Sequence, residues 1–372
     1  MLMNKQTTVV NKEPFARISK RSTISRSKAW LIRIVAVILS LIVCALIIMA
    51  ITKENPFNVY LGIIDGAVGK NRRLWVTIRE TLVLLIVAIG LTPAFKMKFW
   101  NIGAEGQILM GGTATAAVMI YLGNSISGWL LIVIIFIASS VAGMLWGLLP
   151  AIFKAYYNTN ETLFTLMLNY VAMQIVTFCI VFWENPKGSN TVGIINAATK
   201  KGWFPELFGL NYGLNILIVL IITLGMFIYM KYSKQGYEIA VVGESQNTAK
   251  YAGINVRKVI IRTMMISGAI CGLAGCIIVS GASHTISTST GDGRGFTAII
   301  VAWMSKFNPF AMMFVSLFLV FMQQGSIQIA TQYGLNENAS DIITGIILFF
   351  LIGCEFFINY RVEFTKKKKE VR

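Results

Sequence analysis

Long uncharged stretches constrain this chain more than any other feature. Ile34 to Ile51, Thr162 to Trp183, Leu207 to Met230 and Thr263 to Val279 contain no charged side chain, and neither does the much longer run Gly106 to Phe153. A hydrocarbon core about 30 Å thick takes roughly 20 helical residues to cross, because no backbone polar group can stay unpaired there. The run Gly106 to Phe153 is long enough for two such helices, divided at the polar break Gly123-Asn124-Ser125-Ile126-Ser127-Gly128. Thr81 to Phe95 supplies another crossing when counted from Trp75, limited by Arg79, Glu80 and by Pro93, which is expected to end the helix. A composition of 56% hydrophobic against 13% charged residues excludes a soluble domain.

After Val279 the pattern shortens. Gly295 to Ser305 and Phe310 to Met322 are brief, and Ile342 to Ile358 is interrupted by Glu355. Such runs suit broken or re-entrant helices. Both tails are basic, with Lys5, Lys12, Arg17, Lys20, Arg21, Arg26 and Lys28 at one end and Arg361, Lys366 to Lys369 and Arg372 at the other. Placing both in the cytoplasm requires an even number of crossings, and ten satisfies it. The expected architecture is an all-α polytopic membrane protein: a basic tail 1–29, a membrane domain 30–360 and a second basic tail 361–372. The first apolar run follows a long polar tail without a clear small-residue cleavage site, so it reads as an uncleaved anchor.

The net charge of +17 then falls at helix ends, which removes the reason to expect a nucleic-acid partner. Most of the 33 Lys and Arg fall on the cytoplasmic side. Those left outside are Lys53, Lys70, Arg72, Arg73, Arg79, Lys187, Lys200, Lys201 and Arg294. Lys70-Asn71-Arg72-Arg73 violates the rule: either the loop Thr52 to Leu74 meets an acidic partner, or the first crossing is misassigned.

Little chemistry is on offer. A single histidine, His284, makes no triad, no phosphate-cradling Gly-x-x-x-x-Gly-Lys-Ser/Thr occurs, and the five cysteines show neither Cys-x-x-Cys nor a neighbouring His. No catalytic residue, metal or cofactor is therefore expected. After Glu80, intramembrane carboxylates are scarce, with Glu105, Asp341 and Glu355 the ones set within or beside the broken and later apolar elements, which disfavours ion coupling. Gly111 with Gly112, Gly143 with Gly147, and Gly268 with Gly272 and Gly275 suit close helix packing. Asn101, Gln107, Thr113, Asn169, Gln174, Gln323 and Gln324 either hydrogen-bond a polar solute or bond a neighbouring helix.

The stretch 231–262 is too polar to cross and helical in pattern. It reads as a turn, a short helix capped by Ser245 or Asn247, and a stop at Gly253, with Ala249 and Ala252 small enough to seat it against another protein. Here Gly243-x-x-x-x-x-Ala249-x-x-Ala252-Gly253-Ile254 resembles the coupling-helix motif of permease subunits in ATP-binding-cassette (ABC) importers, in the branch handling simple sugars, nucleosides and branched-chain amino acids. Phe99-Trp100-Asn101-Ile102-Gly103-Ala104-Glu105-Gly106-Gln107 resembles the nucleoside-type signature. Asn160-Glu161-Thr162, Met167-Leu168-Asn169-Tyr170, Gly295-Phe296-Thr297-Ala298-Ile299 and Asn308-Pro309 match as well. The Gly-Gly-Ile-Asp-Leu-like sequence of sugar-type relatives is missing, which favours nucleosides.

The resemblance implies the ABC importer permease fold in the plasma membrane and a non-catalytic subunit that imports nucleosides or related simple sugars. Its partners would be a cytoplasmic ABC ATPase, a second permease subunit and an extracellular substrate-binding lipoprotein. Gly243, Ala249, Ala252, Gly253 and Ile254 would receive the ATPase stroke. Lys250, Arg257 and Lys258 either pair with acidic groups of that ATPase or serve as ordinary cytoplasmic anchors. Interrupted elements around Pro93 to Gly106 and Gly291 to Pro309 are the kind that border a substrate path, making Asn101, Glu105, Gln107 and Asn169 candidate pathway or pathway-supporting residues. Glu105 is alternatively a structural acid neutralised by Lys96 or Lys98. A stand-alone facilitator or ion-coupled carrier is the competing reading.

Overall fold

The computed structural model describes residues 16–21, 24–52, 55–207, 209–210, 212–334 and 337–364. Lys5, Lys12, Lys53, Lys366 to Lys369 and Arg372, assigned above to tails and loops, lie outside the described residues. In chain order the elements begin with strand β1 (Ala16–Lys20) and helices α1 (Arg26–Thr52), α2 (Pro56–Val68), α3 (Asn71–Lys96) and α4 (Ala104–Leu122). Next come α5 (Gly128–Tyr157), α6 (Glu161–Trp183), α7 (Gly213–Tyr232), α8 (Lys234–Glu244) and α9 (Gln246–Tyr251). The chain continues with α10 (Val256–Ile278), α11 (Arg294–Met304), α12 (Pro309–Gln332), α13 (Glu337–Asn359) and strand β2 (Tyr360–Phe364). A π-helical turn, Val279–Ser283, prolongs α10.

Among the described residues, eight helices are long and apolar enough to cross a membrane: α1, α3, α5, α6, α7, α10, α12 and α13. The other two expected crossings also form helices. α4 is long enough but opens on the polar turn Ala104-Glu105-Gly106-Gln107. α11 has 11 residues, about 16 Å of rise, or half a bilayer core. Two local expectations are corrected. The segment Thr52 to Leu74 is not merely a loop, because it contains α2. Pro93 does not end its helix: α3 runs through it to Lys96. The basic violation next to α2 meets an acid of its own chain, since Arg73 forms an ion pair with Asp65.

The chain divides into two compact units. In the first, Met1–Gly62 with Ile329–Arg372, α1 lies along α13 and Ala36, Cys354 and Ile358 are buried. Arg33 of α1 bridges Glu355 of α13 at 2.6 Å, so the charge that interrupts the last apolar run has a partner. β1 and β2 pair antiparallel, with Ala16 opposite Phe364 and Lys20 opposite Tyr360.

In the second unit, Ile63–Gln328, α10 is the central element. Its hydrophobic window is 78% buried, against 22–28% for α5, α6 and α7, whose remaining apolar surface suits lipid or another subunit. Small residues are what let α10 sit there. A side chain added to Gly143 of α5 would meet Gly272 Cα at 2.6 Å and Gly272 N at 2.8 Å, and one added to Gly272 would strike the Ser139 carbonyl. Without a hydrophobic driving force between helices in lipid, backbone proximity of this kind supplies the packing energy. Around the seam, Leu109, Met119, Leu131, Ile135, Val176 and Cys276 form one continuous buried cluster.

Replacing Gly272 with Leu is expected to destabilise the detergent-solubilised protein by about 3 kcal/mol or more, because the new atoms fall on backbone that cannot yield. Gly225→Leu in α7, where nothing lies within 4 Å, should leave the thermal transition near that of the parent. Size-exclusion fluorescence after heating separates the two.

Candidate functional site

The break between α3 and α4 is built from its own polar residues. Beyond Lys96 the chain turns through Lys98, in the left-handed region at φ 60°. The Lys98 N–H bonds the Phe95 carbonyl at 3.0 Å and the Phe99 N–H bonds that of Ala94 at 3.0 Å, which closes the helix end. The residues that follow lie outside any helix, and three buried side chains pair several of their backbone groups. Asn101 Oδ1 accepts from the Gly103 N–H at 3.0 Å, and its Nδ2 donates to Ser267 Oγ at 3.3 Å and to Gln107 Oε1 at 3.5 Å. Asn169 accepts from the Gly106 N–H at 2.9 Å and donates to the Ile102 carbonyl at 2.9 Å. Thr165 Oγ1 accepts from the Ile102 N–H at 3.2 Å. Asn101, Gln107 and Asn169 are thus brought together, buried, with polar atoms committed to holding the break.

Glu105 joins this break to a second one. Its carboxylate accepts from the Gly293 N–H at 3.0 Å and the Gly295 N–H at 2.9 Å, the donors that open α11. A helix N-terminus has unpaired N–H groups and a partial positive charge, so it neutralises a buried carboxylate. Lys96 and Lys98, the expected partners of Glu105, do not supply that neutralisation. Gly291 and Gly295 leave the necessary space, since a Cβ on Gly295 would lie 2.6 Å from the Glu105 N. Beside it, Glu80 takes Arg294 on Oε2 at 2.6 Å and Arg79 on Oε1 at 2.6 Å. Asp292 lies 3.4 Å from Arg294 as well, so two guanidinium groups meet three carboxylates, Glu80, Glu105 and the more exposed Asp292, in a charge-paired cluster where α3, α4 and α11 meet. Sequence reading missed Arg79, Glu80 and Arg294 as one group, because 214 residues separate Glu80 from Arg294. The usable signal was that each broken element carries a charge at its mouth.

The segment 231–262 forms an elbow of two helices. Ser245 Oγ accepts the Thr248 N–H at 3.2 Å and starts α9. Gly253, at φ +76°, stops it: its N–H bonds the Lys250 carbonyl at 3.0 Å and the Ile254 N–H reaches that of Ala249 at 2.9 Å. Gly243 touches the end of α3, since a Cβ there would strike the Lys96 carbonyl. Ala249 is fully buried in a cluster with Met97, Phe99, Ile239, Val242 and Met264, so it seats α9 on its own chain and not, as expected, on another protein. Tyr251, 94% exposed, with Ala252 and Gly253 forms the outward tip. Lys250, Arg257 and Lys258 are exposed beside it, and Arg257 lies 5.2 Å from the centre of the Tyr156 ring.

His284, the lone histidine, stacks on Trp203 with ring centres 3.6 Å apart. Burial pushes its imidazole below the usual histidine range, against a smaller opposing hydrogen bond with the Ser280 backbone. It is a neutral packing group in the loop after α10.

Removing the Glu105 carboxylate takes the acceptor from two N–H donors, the part-buried Gly293 and the buried Gly295. Glu105→Ala is expected to lower stability by about 1–3 kcal/mol, and Glu105→Gln, which keeps one acceptor, by less. Thermal unfolding of the two variants side by side checks the order.

Residues 74–352 match the family described as branched-chain amino acid transport system, permease component. Among similar proteins is the guanosine ABC transporter permease NupP of Bacillus subtilis (strain 168), 28% identical over 351 residues, which are 93% of this chain and 99% of that protein. The nucleoside ABC transporter permease NupB of Lactococcus lactis subsp. cremoris is 28% identical with the same two coverages. The glucose ABC transporter permease TsgB13 of Haloferax volcanii is 26% identical over 75% of this chain and 76% of its own. No solved structure matches the chain. With a family match that spans both broken elements and the α8–α9 elbow, this predominantly helical membrane protein belongs to the permease-component family of the branched-chain amino acid transport systems.

Proposed function

We propose that this chain is the membrane subunit of an ATP-driven importer of nucleosides, forming part of the path and receiving the ATPase stroke at the α8–α9 elbow. The observation that carries the reading is the two-sided construction of that elbow. Its inner side, Gly243 and Ala249, is fastened to the end of α3 and to the packed core. Its outer side, Tyr251 to Gly253, is exposed among the described residues. A push on the tip is therefore delivered to the backbone of Lys96 and Met97, next to the Asn101 break that leads to Glu105 and α11. Packed elements of this kind move as rigid bodies rather than deform. In this reading Gly243, Ala249 and Ile254 transmit, Ala252 and Gly253 contact the ATPase, and Asn101, Glu105, Gln107 and Asn169 support the path.

The named substrates of NupP and NupB, guanosine and nucleosides, favour nucleosides over a sugar, and TsgB13 makes simple sugars the neighbouring class. The partners in this proposal are a cytoplasmic ABC ATPase that performs all the hydrolysis, a second permease subunit and an extracellular binding lipoprotein. Residues 30–360 form the membrane domain, and the basic tails 1–29 and 361–372 face the ATPase side.

Ala252→Trp adds bulk at an exposed position and should leave folding intact. Uptake of labelled guanosine by the complete transporter is expected to fall about tenfold or more, as for truncation or blockage of an interface hot spot, with ATP hydrolysis no longer stimulated by substrate. Uptake at the parental rate would show that the tip is not a contact.

A further inference from the structure

A hollow of about 490 Å³ opens where the ends of α3 and α7 meet the turn between α11 and α12. It lies at the end of the membrane domain that carries α8, because Lys231 in the last turn of α7 is two residues before Ser233, the N-cap of α8. Three lysines reach it from three separate elements: Lys96 of α3, Lys231 of α7 and Lys306 of the α11–α12 turn. The rest of its lining is largely apolar, including Ile89, Met226, Phe227 and Pro309. The hollow therefore grades from a cationic rim to an apolar floor.

The charges are not there to serve carboxylates. Among the described residues none of the three lysines forms an ion pair, although seven such pairs are formed elsewhere. Lys231 is held in position by two rings instead, its Nζ lying 5.3 Å from the centre of Phe227 and 5.2 Å from that of Tyr232. Complementing the negative ends of α3 and α7 accounts for Lys96 and Lys231. Lys306, just past the C-cap of α11 and in the left-handed region at φ 49°, answers to that helix end in the same way, but helix ends alone do not gather three lysines around one largely apolar hollow. Phe310 and Phe314, exposed on the first turns of α12, extend the apolar surface outward from the hollow.

We infer that this hollow binds the headgroup of an anionic phospholipid, with its acyl chain lying along the apolar floor. A compact phosphate meets the three ammonium groups, and basic pockets between transmembrane helices are suited to such headgroups. A soluble anion would gain nothing from Ile89, Met226 and Phe227, and a neutral lipid would leave three cations uncompensated. The lipid would bridge α3, α7 and α12 and so bias the position of the α3 end on which the elbow rests. The site stands independently of the substrate and of the ATPase proposed above.

Native mass spectrometry of the purified full chain, titrated with short-chain phosphatidylglycerol, tests the site. The parent should retain one tightly held phosphatidylglycerol, and Lys231→Gln and Lys306→Gln, both at exposed positions, should each weaken retention about fivefold. The combined Lys96→Gln, Lys231→Gln and Lys306→Gln variant should lose it, while the corresponding arginine variant keeps it. Lys234→Gln, Lys250→Gln and Lys258→Gln together remove the same charge at the same end and should leave retention unchanged. Equal losses in the two glutamine triples would overturn the proposal in favour of diffuse attraction. Phosphatidylcholine held as tightly, or inorganic phosphate displacing the lipid at matched concentration, would overturn it as well.

Discussion

Hydrocarbon tolerates no unpaired backbone, and the rest of this structure is arranged around two places where the chain breaks that regularity. α3 stops and α4 begins within the membrane domain, and α11 starts there with its first N–H groups free. One carboxylate, Glu105, belongs to the first break and bonds the second. Breaks of this kind are possible only where protein replaces the missing partners. Here Asn101, Asn169 and Thr165 do so for the first break, and Glu105 does so for α11. The neighbouring Arg79 and Arg294 pair the carboxylates of Glu80 and Asp292, which is what allows charge to be part-buried beside the junction.

Around this junction the packing is of a different kind. Gly143, Gly268 and Gly272 bring α5 and α10 to backbone contact, so the helices behind the junction form a stiff block. The elbow of α8 and α9 is attached to that block by Gly243 and Ala249 and presents a small exposed tip. Stiffness at the seam and polar bonding at the junction are complementary, and in the proposed mechanism they pass on a displacement of one element rather than absorb it.

Much of this was legible in the sequence because the signals are local. Apolar length located most long helices, Ser245 and Gly253 bounded α9 by cap chemistry, and paired glycines identified the faces that pack. The runs from Phe310 onward suggested broken helices, whereas α12 and α13 are continuous helices of 24 and 23 residues, because the polar residues Gln323, Gln324 and Glu355 that interrupt the apolar pattern do not interrupt the helix. Pro93 misled, because a proline in a helix packed on all sides loses one hydrogen bond without ending the helix. α2 was missed because its 13 residues are too short to register as a crossing. Ala249 was assigned to the outer face because small size alone does not say which side of a helix is covered. The charge cluster was the least legible: Glu105 and Gly293 are 188 residues apart, and no periodicity encodes such a meeting.

The central claim is that work done by a separate ATPase enters through the elbow and reaches the broken helices. Reconstitution tests it most directly. Proteoliposomes containing this chain, its partner permease and the ATPase, supplied with the binding protein, should accumulate guanosine against its gradient only when ATP is present. Accumulation by vesicles containing this chain alone, without any ATPase, would contradict the account.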